Sequence, residues 1–164
     1  MRTMGIDAAT CTGLALVGDG EDRGKTLEIP NERGFLRLQL IANNIASLLH
    51  AWNPSFAAIE RYAYCKNIQS FVTLVEVGTV IRMMLRERGV SWVEVPPTVL
   101  KKWTTGSGKA DKDTMASVVK IRWGFASASH DIVDAFALAQ MAQLGWHNIL
   151  TVKGVTVGWE NSPV

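Results

Sequence analysis

The chain has 164 residues, of which 48% are hydrophobic and 20% charged, and its formal net charge is +2. This composition is that of a folded globular protein and excludes an intrinsically disordered chain. No uninterrupted apolar run reaches the roughly 18 residues of a membrane span, and the N-terminus lacks the pattern of a secretion signal. We therefore expect a cytoplasmic protein without membrane contacts.

The first half of the chain predicts two strands, a helix and another strand. Residues 2–7 and 13–18 have the pattern of an antiparallel hairpin, and the charged, glycine-rich segment 19–31 is a loop or a weak strand. Apolar residues recur at helical spacing over 34–51. The short apolar run 55–60 predicts a buried strand.

The second half is richer in helices, and its pattern completes the prediction of an α/β fold. A strand hairpin followed by alternating helices and strands indicates a mixed sheet with helices on both faces. The predicted elements are a helix over 67–88, a strand over 91–95, a short helical turn over 97–103, helices over 112–122 and 130–144, and a possible short strand over 151–157.

Four acidic residues stand where a free charge is costly. Asp7 and Glu60 end apolar strands, and parallel neighbours would bring these ends to one sheet edge. Asp131 and Asp134 are three residues apart and share one helix face. Four converging carboxylates fit Mg²⁺ or Mn²⁺. The alternative is that each acid simply reaches solvent at the end of its strand or helix.

A basic segment over 101–122 contains the glycine-rich stretch TTGSGKADKD. Its spacing does not match a nucleotide-binding P-loop, because Ala110 stands where that motif requires Ser or Thr, so we expect no nucleotide cofactor. The alternatives are a flexible DNA-binding loop and a solvated basic surface. The candidate DNA-binding lysines are Lys101, Lys102, Lys109 and Lys112.

Four stretches, taken together, resemble the RuvC-type Holliday junction resolvases of the ribonuclease H-like superfamily. They are GID at 5–7, AIER at 58–61, the KK and TGSGKADK stretches within 101–112, and HDIVDAFALA at 130–139. The match runs from about residue 4 to 144. It implies a single nuclease domain over 1–145 with a mixed five-stranded sheet, and it leaves 146–164 as a tail outside the match.

The resemblance also implies a site and an activity. Asp7, Glu60, Asp131 and Asp134 match the family's four acids, which bind two Mg²⁺ ions, with Mn²⁺ as a substitute. Lys101 and Lys112 match two basic positions, and helix 67–88 matches the element that forms homodimers. The implied enzyme is an endodeoxyribonuclease that resolves four-way junctions by paired symmetric nicks, leaving 5′-phosphate and 3′-hydroxyl ends. A broader nuclease for three-way junctions, forks or flaps, and a non-catalytic junction-binding protein, remain alternatives.

The chain departs from the family pattern near the branch point of the DNA. An aromatic residue normally follows the glutamate by three positions, and here that position is Ala63. Tyr62 and Tyr64 flank it and are candidates to stack on an exposed base. His130, beside the acidic pair, is a candidate to support the carboxylates, although a histidine at a helix start more often has a structural role.

Overall fold

The computed structural model describes residues 1–8, 11–20, 22–28, 32–62 and 67–158. Its single sheet has the strand order β3-β2-β1-β4-β5-β6. The strands β1, β4 and β5 are parallel, and the pairs β1–β2, β2–β3 and β5–β6 are antiparallel. The strands are β1 (Thr3–Asp7), β2 (Cys11–Val17), β3 (Arg23–Glu28), β4 (Phe56–Glu60), β5 (Ser91–Val95) and β6 (Thr156–Val157).

Helices cover both faces of this sheet, as the sequence predicts. The helices are α1 (Gly34–Trp52), α2 (Ile68–Glu87), α3 (Pro97–Thr105), α4 (Lys112–Trp123), α5 (His130–Ala142) and α6 (Trp146–Ile149). On one face, α1 and α2 pack in a cluster with Ile6, Leu14 and Ile59. On the other, α3, α4 and α5 pack in a second cluster around Phe136. Opposite-facing side chains of the same strands supply both clusters.

The α/β prediction is confirmed, but the sheet has six strands where five were expected. The sixth, β6, lies within 151–157, where the sequence predicts a short strand, and it pairs with the outer side of β5, with Val157 opposite Val93. The segment 19–31, left open between loop and strand, contains β3. The short turn predicted at 97–103 is a nine-residue helix, α3, which starts with Pro97 at a position where the ring fixes a helical φ.

The sequence predicts no apolar segment long enough to cross a membrane, but helix α2 meets that criterion. By length and composition alone it is apolar enough to cross a membrane, although core helices of water-soluble proteins pass the same test. In the fold it packs beside α1 and carries Arg82, whose Nε lies 2.9 Å from Oε1 of Glu94 on β5. This ion pair and packing are those of a helix in the outer layer of a folded domain.

Helix α5 lies directly on the hairpin of β1 and β2. A Cβ atom on Gly5 would overlap the carbonyl oxygen of Ala135, and one on Gly13 would overlap the carbonyl oxygen of Asp131. Glycine at these two positions therefore lets the helix backbone approach the strand backbone. This close packing fixes the start of α5, with its two aspartates, against the end of β1.

The segment after α5 packs onto the domain as far as it is described. Ile149 and Val155 are buried in the cluster around Phe136. Arg61, which follows β4, donates hydrogen bonds to the carbonyl oxygen of Gly154 and to Oγ1 of Thr156. The described segment 146–158 is thus joined to the sheet edge at which β4 ends.

Candidate active site

Asp7 and Glu60 lie side by side at one edge of the sheet. In the parallel pair β1–β4, Ile6 is opposite Ile59, and the next residue on each strand is one of these acids. Both side chains are half-buried, because helices cover the two faces of the sheet around them. This is the carboxyl edge, where ligands bind in open α/β sheets.

Asp134 joins this pair from α5. One carboxylate oxygen from each of Asp7, Glu60 and Asp134 lies within 4.8 Å of the others. The helix that brings Asp134 to the edge begins at a cap formed by Ser129, whose Oγ accepts a hydrogen bond from the N–H of Ile132. The cap and the packing on Gly5 hold this carboxylate over the strand ends.

Burial, and after it the crowding of the acids, raises the pKa values of the three carboxyl groups. Burial raises the pKa of Glu60 to about 9, and the charges of Asp7 and Asp134 add to this effect. Burial raises the pKa of Asp7 to about 7, and the charges of Asp134 and Asp131 act in the same direction. Burial also raises the pKa of Asp134, while Lys101 and Lys112 oppose the rise. Ionisation of all three carboxyl groups is therefore unfavourable until a cation neutralises their charge.

The donor chemistry of this cluster fits a hard divalent cation. Carboxylate oxygens without thiolate or imidazole ligands are typical of Mg²⁺, Mn²⁺ or Ca²⁺ sites. Asp131 lies outside the group of three oxygens, but its charge raises the pKa values of both Asp7 and Asp134. His130 is the first residue of α5, and its charge lowers the pKa of Asp134. Three of the four predicted acids thus meet directly, and Asp131 and His130 act on them electrostatically.

Comparison with known proteins identifies the family. The model of the family "Crossover junction endodeoxyribonuclease RuvC" matches residues 3–141, which include all four acids. The chain belongs to the RuvC family. A RuvC from Prochlorococcus marinus is 31% identical over 152 residues, covering 85% of this chain and 96% of that protein. A RuvC from Brachyspira hyodysenteriae is 30% identical over 147 residues, covering 85% and 91%.

Solved structures agree with this assignment. The RuvC from T. thermophilus in complex with Holliday junction substrate is 25% identical, with a TM-score of 0.75 over 85% of this chain and 90% of that one. The yeast mitochondrial resolvase Ydc2 is 13% identical, with a TM-score of 0.55 over 84% and 75%. The second likeness shows the fold alone. The ribonuclease H-like architecture expected from the sequence is therefore confirmed.

The lysines predicted from the RuvC pattern divide into two pairs. Lys101 on α3 and Lys112 on α4 act on the carboxylates: Lys101 lowers the pKa values of Glu60 and Asp134, and Lys112 lowers those of Asp7 and Asp134. Lys102 and Lys109 are exposed and do not contribute to these pKa shifts. The first pair faces the site, and the second lies on the surrounding surface.

The connection between α3 and α4 is more ordered than the flexible loop expected from its glycines. Gly106 ends α3 in the left-handed conformation, and its N–H donates to the carbonyl oxygen of Lys102. Oγ1 of Thr105 accepts a hydrogen bond from the N–H of Ser107. Asp111 then caps α4 by accepting from the N–H of Thr114 at 2.8 Å. Lys109 and Lys112 are therefore presented by a capped turn.

Tyr62 lies in an internal contact network. Its hydroxyl donates to the carbonyl oxygen of Val75 at 3.3 Å and accepts from Arg82 at 2.8 Å, and the guanidinium of Arg82 lies 4.6 Å from the ring centre. A Cβ on Gly78 would overlap the tyrosine, so this glycine in the middle of α2 is required by the contact. The base-stacking role of Tyr62 stays a prediction. Tyr64 and Ala63 lie outside the described residues.

The sequence did not predict the hydrogen-bond network of Tyr62, Arg82 and Glu94. It connects the residues after β4 to the middle of α2 and to β5, and thus lies next to Glu60. The available signal was Gly78, because a glycine inside an otherwise regular helix indicates a close approach. The partner that approaches it could not be deduced, because Tyr62 precedes it by 16 positions and comes from another element.

Proposed function

We propose that this chain is a structure-selective endodeoxyribonuclease that resolves four-way DNA junctions by paired symmetric nicks with 5′-phosphate and 3′-hydroxyl ends. The observation that carries the proposal is the group of three carboxylates at the carboxyl edge of a RuvC-family sheet. A protein that only binds DNA gains nothing from buried acids that face phosphates, because their charges repel. The enzyme would act inside the cell, in the cytoplasm.

The acids would hold the cofactor, two Mg²⁺ ions, with Mn²⁺ as a substitute. Asp7, Glu60 and Asp134 supply the central oxygens, and Asp131 extends the site. Ions bound there would supply activation of water and neutralisation of charge at the scissile phosphate. The supporting observation is the raised pKa of Asp7 and Glu60, because a site that resists ionisation without a cation favours one.

The residues around the carboxylates would position the DNA. Lys101 and Lys112 are close enough to lower the pKa values of the acids, and close enough to hold the phosphate beside them. Lys102 and Lys109 would neutralise backbone phosphates farther along the strand, so DNA binding should weaken steeply with salt. His130 would support Asp134.

We further propose that the enzyme is a homodimer that pairs through α2. Ile68, Phe71 and Val72 recur at helical spacing near the start of this helix, and all three are exposed, Ile68 by 79%. Burial of such a stripe against a second copy would remove apolar area from water.

Phe71→Asp should convert the dimer to a monomer in sedimentation velocity. Ile121→Asp, at an equally apolar exposed position on α4, should leave the dimer intact.

The decisive experiment uses a labelled synthetic four-way junction with Mg²⁺ or with EDTA. Paired symmetric nicks in Mg²⁺ that disappear in EDTA and in Asp7→Asn support the proposed function. A gel shift without cleavage in any divalent cation would contradict it in favour of a junction-binding protein. Equal cutting of flaps, forks and four-way junctions would replace it with a broader branched-DNA nuclease.

A further inference from the structure

Two helices extend past the sheet edge that carries the carboxylates. The C-terminal end of α1 lies at the opposite edge, where the N–H of Ser55 donates to the carbonyl oxygen of Arg2. Helix α1 has 19 residues, which span about 28 Å, whereas the five residues of β4 span about 17 Å. The buried residues of α1 start at Ile41 and those of α2 at Val77. The first turns of both helices therefore stand clear of the core.

A cleft of about 480 Å³ lies between these first turns. Arg33 and Arg37 line it from α1, and Glu76 is the acid that lines it from α2, beside Gln69 and Thr73. Within the described part of the chain, neither arginine forms an ion pair. Two unpaired guanidinium groups against one carboxylate give this cleft an excess of positive charge, which fits a polyanion.

Phe35 is in the first turn of α1 and is 80% exposed; it does not line the cleft and faces a different side of the helix from Arg37. An exposed aromatic ring at the same helix end as two cationic groups has the chemistry by which proteins hold unpaired nucleotides, with the ring on a base and the cations on the backbone. A second copy of this chain is a poorer occupant, because a symmetric contact here would bring the arginines of the two copies together. We call Arg33, Phe35 and Arg37 the α1 tip surface.

The α1 tip surface and the lysines flank the carboxylates on opposite faces of the sheet. Lys101 and Lys112 belong to α3 and α4, which pack on one face, and α1 packs on the other. The seven residues of α1 before Ile41, about 10 Å of helix, project on the α1 side and form a wall there. A straight duplex resting on the carboxylates would meet this wall. A branch point would not, because its arms diverge there.

We infer that the α1 tip surface binds the second arm of a branched DNA at the point where it leaves the active site, with Phe35 against an unpaired base and Arg33 and Arg37 on the backbone. The inference rests on the proposed function and adds to it a source of preference for branched over linear DNA. The lysine side holds the strand that is cut, and the α1 side holds the arm that a linear duplex lacks.

The first test compares binding of a four-way junction and of a linear duplex of equal length, by fluorescence anisotropy in EDTA. In the Arg33→Ala/Arg37→Ala variant, junction affinity should fall at least about fivefold, and the slope of log affinity against log salt should fall by about 2. Duplex affinity should stay within about twofold. Arg88→Ala, an exposed arginine at the other end of α2, is the matched control and should change neither.

The second test measures base unstacking with 2-aminopurine placed at the branch point. Wild-type protein should raise its fluorescence, and Phe35→Ala should lose most of this rise, while Ile121→Ala, 83% exposed on α4, should retain it. Three results for the double arginine variant would each overturn the inference. The first is unchanged affinity for the junction, and the second is an equal loss of affinity for junction and duplex. The third is a change from dimer to monomer in sedimentation velocity. Wild-type junction cleavage in Mg²⁺ is measured in parallel, so the proposed function can stand when the inference fails.

Discussion

The carboxyl groups of Asp7 and Glu60 meet at the ends of the neighbouring strands β1 and β4, with one oxygen of each within 4.8 Å of the other. Two buried ionised carboxylates this close repel each other, so without a cation the protonated form of one of them is favoured. Burial accounts for this, because it raises the two pKa values to about 7 and about 9. A divalent cation that binds here must displace that proton, so binding should release protons and tighten as the pH rises.

The first prediction concerns stability without metal. Since the pKa of Glu60 is raised by folding, the folded state binds more protons than the unfolded state between about pH 4.5 and 9, and its stability falls as the pH rises through this range. Glu60→Gln should therefore melt higher than wild type at pH 8.5, by about 2–4 °C per kcal/mol gained. The difference should vanish near pH 4. Scanning calorimetry in EDTA measures it, and the exposed Glu87→Gln is the control.

In Mg²⁺ the order of the melting temperatures should reverse, with wild type melting higher than Glu60→Gln. Wild-type protein should gain melting temperature from the cation, because the ion binds the folded state alone, whereas Glu60→Gln should gain little. A variant that is stabilised by Mg²⁺ as strongly as wild type would show that the cation binds elsewhere.

The second prediction concerns the number of ions. Asp131 lies outside the group of three oxygens, although its charge acts on Asp7 and Asp134. Asp131→Asn should abolish cleavage and reduce the stoichiometry of Mn²⁺ binding from two to one in titration calorimetry. The first ion, held by the three central carboxylates, should remain. A wild-type stoichiometry of one would contradict a site for two ions.

The third prediction separates the two pairs of lysines. Lys101 lowers the pKa values of Glu60 and Asp134, so Lys101→Ala should raise them further and shift the rising limb of the pH–rate profile to higher pH. Lys112→Ala should shift the profile in the same direction, because Lys112 lowers the pKa of Asp7. Lys102→Ala and Lys109→Ala should leave the profile in place and reduce the salt dependence of DNA binding by about one unit of slope each. Identical pH shifts in all four variants would contradict this division.

The fourth prediction concerns the packing of α5. Gly5→Ala places a methyl group into the backbone of Ala135 and Ala139, which cannot move aside as a flexible side chain can. We expect a loss of more than about 3 kcal/mol of unfolding free energy, measured by urea denaturation. Gly20→Ala is the control. It has positive φ and no neighbouring atom within 4 Å, so only the backbone preference is lost, about 1 kcal/mol.

The fifth prediction tests the role of Tyr62. Tyr62→Phe removes a hydroxyl with two hydrogen-bond partners and should cost about 1–2 kcal/mol of stability. The variant keeps the ring that would stack on a base, so junction affinity should stay within about twofold of wild type, whereas Tyr62→Leu should weaken it. Unchanged junction affinity in Tyr62→Leu, measured well below the melting temperature, would contradict base stacking by this ring.

The carboxylates could be found from the sequence because their position depends on local pattern and simple topology. Asp7 and Glu60 each end an apolar run, and parallel neighbours have their carboxyl ends at the same edge. Asp134 stood out as an acid among apolar residues. The two groups of basic residues beside the carboxylates differ in how far the sequence predicts them. The lysines cluster in the sequence, whereas Arg33 and Arg37 meet Glu76 only through the packing of α1 beside α2.

The missed features depend on contacts between distant segments. The short strand predicted over 151–157 is confined to the two residues of β6, because a segment this short has no periodicity that marks its bounds and only its pairing with β5 makes it a strand. The ring of Tyr62 appeared free in the sequence because its neighbours, Gly78 and Arg82, belong to a helix that follows. Pattern predicts which residues are acidic, apolar or basic along an element, but not which elements cover them.

The position of β6 has a consequence for how copies of this chain behave toward one another. Without it, β5 would form the border of the sheet and expose a row of backbone N–H and C=O groups, a template on which another chain can add a strand. Thr156 and Val157 occupy part of that border, and Arg61 anchors the segment. These residues lie beyond the part that matches the family model. Thr156 and Val157 thus shield part of the β5 edge from pairing with another chain, independently of any role at the DNA.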